Sequence, residues 1–173
     1  MKYAVRSIAL SLLIITMFNV SSCLKGDDDG IEERTLEMEM EELDTFLITL
    51  EARGYDIDTS DLGIYYILQA EGEGPLAQAG DTLSLEYTGY LLNGQIFDAS
   101  AYHYPDSTWE FVFKEVLLIE GFDDGISLMN KGAEIDMIIP SEYAYGPFGN
   151  GPIGPYTSLL FVTKMHDIIP PSE

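Results

Sequence analysis

Positive charge is scarce: the 173-residue chain carries 8 lysines and arginines against 30 aspartates and glutamates, a formal net charge of −22. So few cations exclude a reader of nucleic-acid backbones, whose affinity comes from clustered Lys and Arg. Cysteine occurs once, at Cys23, which excludes an internal disulfide and a cysteine-based zinc site. The two histidines, His103 and His166, lie too far apart in sequence to suggest a metal centre or a catalytic pair, and each reads as incidental. No Gly-x-Ser-x-Gly elbow and no glycine-rich phosphate loop is present. Internal repeats are missing, as is the helix–strand alternation of a parallel α/β protein. What the chain does have is 46% hydrophobic and 12% aromatic residues, too much apolar material for a disordered acidic polymer. Its length allows one ordinary domain plus extensions.

The apolar residues are unevenly placed. Lys2 and Arg6 precede a run from Ile8 through Val20, broken only by Ser11, Thr16 and Asn19. A short basic start and roughly a dozen apolar residues make a secretory signal peptide, too short to span a bilayer comfortably. The run ends at Val20-Ser21-Ser22-Cys23, which resembles a bacterial lipobox, with the cysteine thiol as the acylation site. Cleavage there removes Lys2 and Arg6 and no acid, leaving an even more acidic chain. Several acyl chains on Cys23 would anchor it stably, since each buried methylene adds about 0.8 kcal/mol and a single chain is marginal. The next residues, Leu24-Lys25-Gly26-Asp27-Asp28-Asp29-Gly30, resemble the export signal of surface lipoproteins in Bacteroidota and read equally well as a solvated tether. Leu24 rather than an aspartate after the cysteine argues against inner-membrane retention. The expected location is a lipid anchor in the outer membrane, on its periplasmic or its cell-surface face.

From Ile31 to Arg53 the pattern is helical. Leu36, Met40, Leu43, Leu47 and Leu50 make one apolar stripe, acidic residues occupy the other faces, and Gly54 supplies a C-terminal stop. The stripe either packs on the domain that follows or pairs with a second copy, which would make a homodimer through residues 31–53. Asp56 to Ile67 fails as a calcium loop, because Asp61 and Ile67 stand where glycine and glutamate are required. Beyond Leu62 the signals are those of strands: Ile64–Gln69, the alternating Thr82–Tyr87, a tight turn at Asn93-Gly94, Gln95–Asp98, Trp109–Phe113, Ala133–Ile139 and Ser158–Met165. Gly121–Met129 suits one short helix. One helix among antiparallel strands predicts an α+β domain.

Tyr87-Thr88-Gly89, Phe97-Asp98, Val116–Phe122, Met129-x-x-Gly132 and Pro140–Gly146 stand in that order. Together they resemble the FKBP family of peptidyl-prolyl cis–trans isomerases, over about Leu62 to Ile169. The resemblance implies a five- to six-stranded antiparallel half-barrel wrapped around a short helix, preceded here by the N-terminal amphipathic helix. It implies a shallow aromatic pocket needing no cofactor or metal. Carried over, Tyr87, Phe97 and Asp98 form one wall and Tyr145 stands opposite, these four being the catalytic set. Trp109 and Leu118 line the side, with the Ile119 N–H pointing inward. Phe122 is the floor, where the family usually has Trp. Ile153 lies in the flap, and Val162 falls where the family places a Phe. Asn150 replaces a common flap histidine. The implied domain plan is a lipoprotein signal peptide (1–22), an acidic tether (23–30), a helical extension (31–61) and an isomerase domain (62–173).

Such a pocket suits prolyl isomerisation because no bond is made or broken. Amide resonance sets a barrier of about 18–20 kcal/mol. Each tenfold in rate requires about 1.4 kcal/mol of preferential binding of the twisted amide, and a dry aromatic cup favours that less dipolar state. The implied partners are proline-containing polypeptides. Three functions remain open on sequence: an isomerase assisting envelope or secreted proteins, a module that binds proline segments or acts as a chaperone with little turnover, and a structural surface lipoprotein, which draws only on the acidic tether and helix.

Overall fold

The computed structural model describes residues 34–172. The signal peptide, the acidic tether and Cys23 lie outside the described residues.

Helix α1 (Leu36–Ala52) begins at Thr35, whose hydroxyl oxygen accepts the Met38 N–H, and stops before Gly54, which takes a left-handed φ of 87°. Its sheet-facing side is Leu43, Phe46, Leu47 and Leu50, packed on Tyr65, Ile67, Ile138 and Leu160. The apolar stripe therefore docks within the chain over its C-terminal half. Its N-terminal half departs from expectation. Leu36 and Met40 are 47% and 56% exposed, and Glu39 is buried in their stead. The reason is polar: Glu39 meets hydrogen-bond donors of the main domain, described below.

The strands in chain order are β1 (Asp58–Thr59), β2 (Tyr65–Ala70), β3 (Glu73–Leu76), β4 (Thr82–Leu91), β5 (Ile96–Ala99), β6 (Trp109–Val112), β7 (Asn130–Lys131), β8 (Glu134–Ile139) and β9 (Leu159–Ile169). One antiparallel sheet runs β1-β2-β8-β9-β4-β5, with β6 also paired to β4; β3 and β7 form a separate small ribbon. The expected half-barrel is present, and the two-residue β1 adds a seventh strand at its edge. Period-two alternation sets its two faces. Leu83 and Leu85 of β4 are buried in the concave core, while Glu86 between Leu85 and Tyr87 is exposed. Asn93-Gly94 turns β4 into β5, with the Gly94 N–H donating to the Leu91 carbonyl at 2.8 Å. The central strand β9 pairs with β4 and β8 on its two sides.

Helix α2 (Glu120–Ser127) fills the concave face. Phe122 and Ile126 are buried there, each worth about 1.5–3 kcal/mol of transfer free energy. Gly121 and Gly125 share that face, and a Cβ on either would lie 2.4 Å from Ile139 or Met137, so the helix approaches the sheet closely. The loop between β8 and β9 forms a flap that begins with a 3₁₀ turn at Ser141–Tyr143.

Candidate functional site

The concave sheet, the start of α2 and the β8–β9 flap converge on one group of aromatic rings. Tyr87 projects from β4 towards α2 and β6; its ring centroid lies 5.9 Å from those of both Trp109 and Phe122, at steep angles. Phe122 and Phe161 lie 4.6 Å apart, and Phe97 meets Phe161 edge-on at 5.5 Å. Edge-to-face packing of this kind is favourable because ring edges are positive and ring faces negative. Phe122 and Phe161 are buried, whereas Tyr87, Phe97, Trp109 and Tyr145 are only half-buried. The arrangement is a cup with a buried floor and open walls. Gly89 makes it possible: a Cβ there would meet the Phe97 ring at 2.5 Å and the Phe161 ring at 3.1 Å.

The polar wall centres on Asp98, near the end of β5. One carboxylate oxygen accepts the Tyr87 hydroxyl at 2.8 Å. The other accepts the Ala99 N–H at 2.8 Å and the His103 Nε2–H at 2.7 Å. Behind them Ser100 is fully buried; its hydroxyl donates to the Tyr87 carbonyl and accepts the Tyr87 N–H, fixing β4 to the turn after β5. Burial, then the bond to Asp98, pushes the Tyr87 hydroxyl above the ordinary tyrosine value, so it stays protonated as a donor.

The remaining expected residues take these positions. Leu118, Ile119 and Tyr145 pack against the core cluster. Ile119 is the N-cap of α2, its carbonyl accepting the Phe122 and Asp123 N–H groups. Among the described residues its own N–H meets no acceptor. Ile153 lies within the flap, buried against the core cluster, and its backbone exchanges hydrogen bonds with Asn150.

Val162 requires correction. It pairs with Thr88 and Asp136 across the sheet and so lies on the opposite face from the ring cluster. Phe161 supplies the ring on the last strand, buried against Tyr87, Phe97 and Phe122. A displacement of one residue along a strand exchanges faces. The ring that the family places on the last strand is therefore present, one residue earlier than expected. The inward set Leu159, Phe161, Thr163 and Met165 alternates in the sequence, and that pattern was the available signal. Sequence reasoning also misses Ser100 and His103. Nothing local marks either, because their contacts arise when the turn after β5 folds back on Tyr87 and Asp98.

Residues 74–166, more than half of the chain, match the family described as "FKBP-type peptidyl-prolyl cis-trans isomerase". The chain belongs to the FKBP family. A "Probable FKBP-type peptidyl-prolyl cis-trans isomerase" of Haemophilus influenzae is 35% identical over 123 residues, 70% of this chain and 49% of that protein. "Outer membrane protein MIP" of Legionella longbeachae is 33% identical over 105 residues, 60% of this chain and 42% of that protein. The chain thus spans about half or less of the length of these curated relatives. A peptidyl-prolyl cis-trans isomerase crystal structure from Pseudomonas syringae superposes with a TM-score of 0.65 at 28% identity, covering 79% of this chain and 97% of that one. In this FKBP domain the cup of rings lies inside the matched segment, between β4 and β9.

Proposed function

We propose that this FKBP-family chain is a peptidyl-prolyl cis–trans isomerase acting on proline-containing polypeptides. The observation that carries the reading is the half-open aromatic cup of Tyr87, Phe97, Trp109, Phe122 and Phe161, with the Tyr87–Asp98 hydrogen bond at its wall. The proline ring enters between Phe97 and Trp109 and rests on Phe122. Tyr145 donates its hydroxyl to a substrate carbonyl, and the Ile119 N–H anchors the carbonyl on the other side of the proline. Leu118 and Ile153 close the apolar surround. Asp98 moves no proton. Its charge, held by Tyr87, His103 and the Ala99 N–H, orients the carbonyl as the amide twists, and the dry cup favours the twisted state over the planar one. No cofactor takes part.

The envelope setting is part of the same proposal. Residues 1–22 direct export, Cys23 is acylated, and residues 23–30 tether the domain at the outer membrane, on its periplasmic or its outer face. The relative named as an outer membrane protein supports an envelope location. No helix among the described residues is long and apolar enough to cross a membrane; in this proposal the anchor is the lipid on Cys23. The helical extension at 31–61, docked over its described part from residue 34 on, then leads into the isomerase domain at 62–173.

A protease-coupled assay on a Xaa-Pro peptide tests the activity. The wild-type chain should accelerate cis-to-trans exchange, and Phe97→Ala or Asp98→Ala should each reduce kcat/KM by about tenfold or more, the equivalent of losing about 1.4 kcal/mol of transition-state binding. Rates unchanged by both substitutions would overturn the site assignment. Peptide binding without acceleration would make the chain a proline-binding module instead.

A further inference from the structure

We infer that Glu39, on the N-terminal helix, is a positioning residue for the pocket flap, so that α1 is part of the site's framework and not a spacer. The rate prediction below rests on the isomerase reading; the structural prediction does not.

The flap runs from Ser141 to Ser158 and carries Tyr145 and Ile153. Both of its ends meet one carboxylate. Glu39 accepts the Ser141 N–H at 2.7 Å and the Ser158 hydroxyl at 2.6 Å on one oxygen, and the Ser141 hydroxyl on the other. Glu39, Ser141 and Ser158 are all 2% exposed or less. Ser141 directly follows Pro140 at the end of β8, and Ser158 directly precedes β9, so the carboxylate closes the base of the loop. Arg34 adds a contact within the loop, its Nε–H donating to the Tyr156 carbonyl at 2.8 Å, while its guanidinium pairs with Glu42.

A carboxylate this deeply buried is costly unless its lone pairs are satisfied. Here three donors converge on it, and bonds to an ionised acceptor are short and strong. An apolar residue one turn before Leu43 would dock the helix more simply, so docking alone does not account for a glutamate. The geometry at Ser141 passes directly to the pocket. The 3₁₀ turn links the Tyr143 and Ala144 N–H groups to the Pro140 and Ser141 carbonyls. Tyr145 then accepts the Gly149 N–H, and the Tyr156 N–H returns to the Gly146 carbonyl. Release of Ser141 and Ser158 therefore loosens the residue that places the Tyr145 hydroxyl.

The test compares wild type, Glu39→Ala, Glu39→Gln and Ile67→Val, the last weakening the α1–sheet contact without touching the clamp. Hydrogen exchange over 141–158 should quicken by about tenfold in Glu39→Ala relative to the rest of the sheet. With a Xaa-Pro peptide its kcat should fall several-fold while KM changes less than about twofold. Glu39→Gln, whose amide can accept from the Ser141 N–H and donate to a serine oxygen, should recover most of both effects. Ile67→Val should lower the melting temperature and leave flap exchange and kcat alone. Should Glu39→Ala not fold, Ser158→Ala removes one donor and should shift the same readouts in smaller measure. Unchanged flap exchange, or equal kcat losses in Glu39→Ala and Ile67→Val, overturns the inference. An inactive wild type with quickened flap exchange in Glu39→Ala overturns the isomerase reading and leaves the clamp standing.

Discussion

Phe161 and Val162 are neighbours on β9 and face opposite ways. Phe161 closes the floor of the cup, and Val162 sits on the outer face beside Thr88 and Asp136. Phe161→Ala should destabilise the fold by about 3–5 kcal/mol, as large-to-small changes in a packed core do, and lower isomerisation at temperatures where the variant is still folded. Val162→Ala should leave kcat/KM within about twofold of wild type. Urea unfolding and the coupled assay on the two variants give both readings, and a larger rate loss at Val162 than at Phe161 would contradict this assignment. Single positions were the least legible part of the site in sequence. The short blocks around Tyr87, Phe97-Asp98 and Tyr145 stand out by residue type. Which of two adjacent residues faces inward depends on a register fixed only by pairing with β4. The His103 contact to Asp98 depends on a turn whose residues carry no strong preference.

Among the elements, α1 shows how far periodicity reaches. The stripe at Leu43, Leu47 and Leu50 marks the docked face and Gly54 marks the C-terminal end, whereas the start, expected at Ile31, lies at Leu36 behind the Thr35 cap. At Met40 the same periodicity misleads, because a polar triad at Glu39 turns that part of the helix. Leu43→Ala should therefore cost about 2–4 kcal/mol of stability, while Met40→Ala should change it by less than about 0.5 kcal/mol; chemical denaturation distinguishes the two. The long strands and α2 were readable because alternation, or a compact apolar helix face, persists for several residues. The two-residue strands β1 and β7 and the 3₁₀ turns of the flap were not. Segments that short hold no period, and they form only because a partner elsewhere in the chain presents its backbone.

For the whole molecule, stability against pH carries the mark of one buried acid. Asp136 on β8 is 8% exposed, and burial pushes its carboxyl up to about 6, opposed by the Gln69 amide bonded to it and assisted by Glu134 nearby. The folded state therefore holds a proton that the unfolded chain has already released. Its contribution is full below about pH 4, the ordinary range of a free aspartate, and is lost as pH rises through about 6. Glu37 and Asp167 are held below their ordinary values by hydrogen bonds, and their smaller contributions run the other way. Asp136→Asn isolates the first effect. The variant should match wild type near pH 4 and exceed it at pH 7.5, by up to about 3 kcal/mol for a shift of this size, measured from urea midpoints at the two pH values. A difference independent of pH would show that Asp136 does not titrate in this way.

The place of β9 has one more consequence. It comes last in chain order among the described strands and yet lies between β4 and β8, so the main sheet is not continuous until it docks. Pairings that wait on distant residues assemble slowly, and until β9 docks β4 and β8 present bare edges on which other chains can template. Before β9 slots home, the half-built sheet carries the same exposed-edge hazard that folding helpers exist to cover.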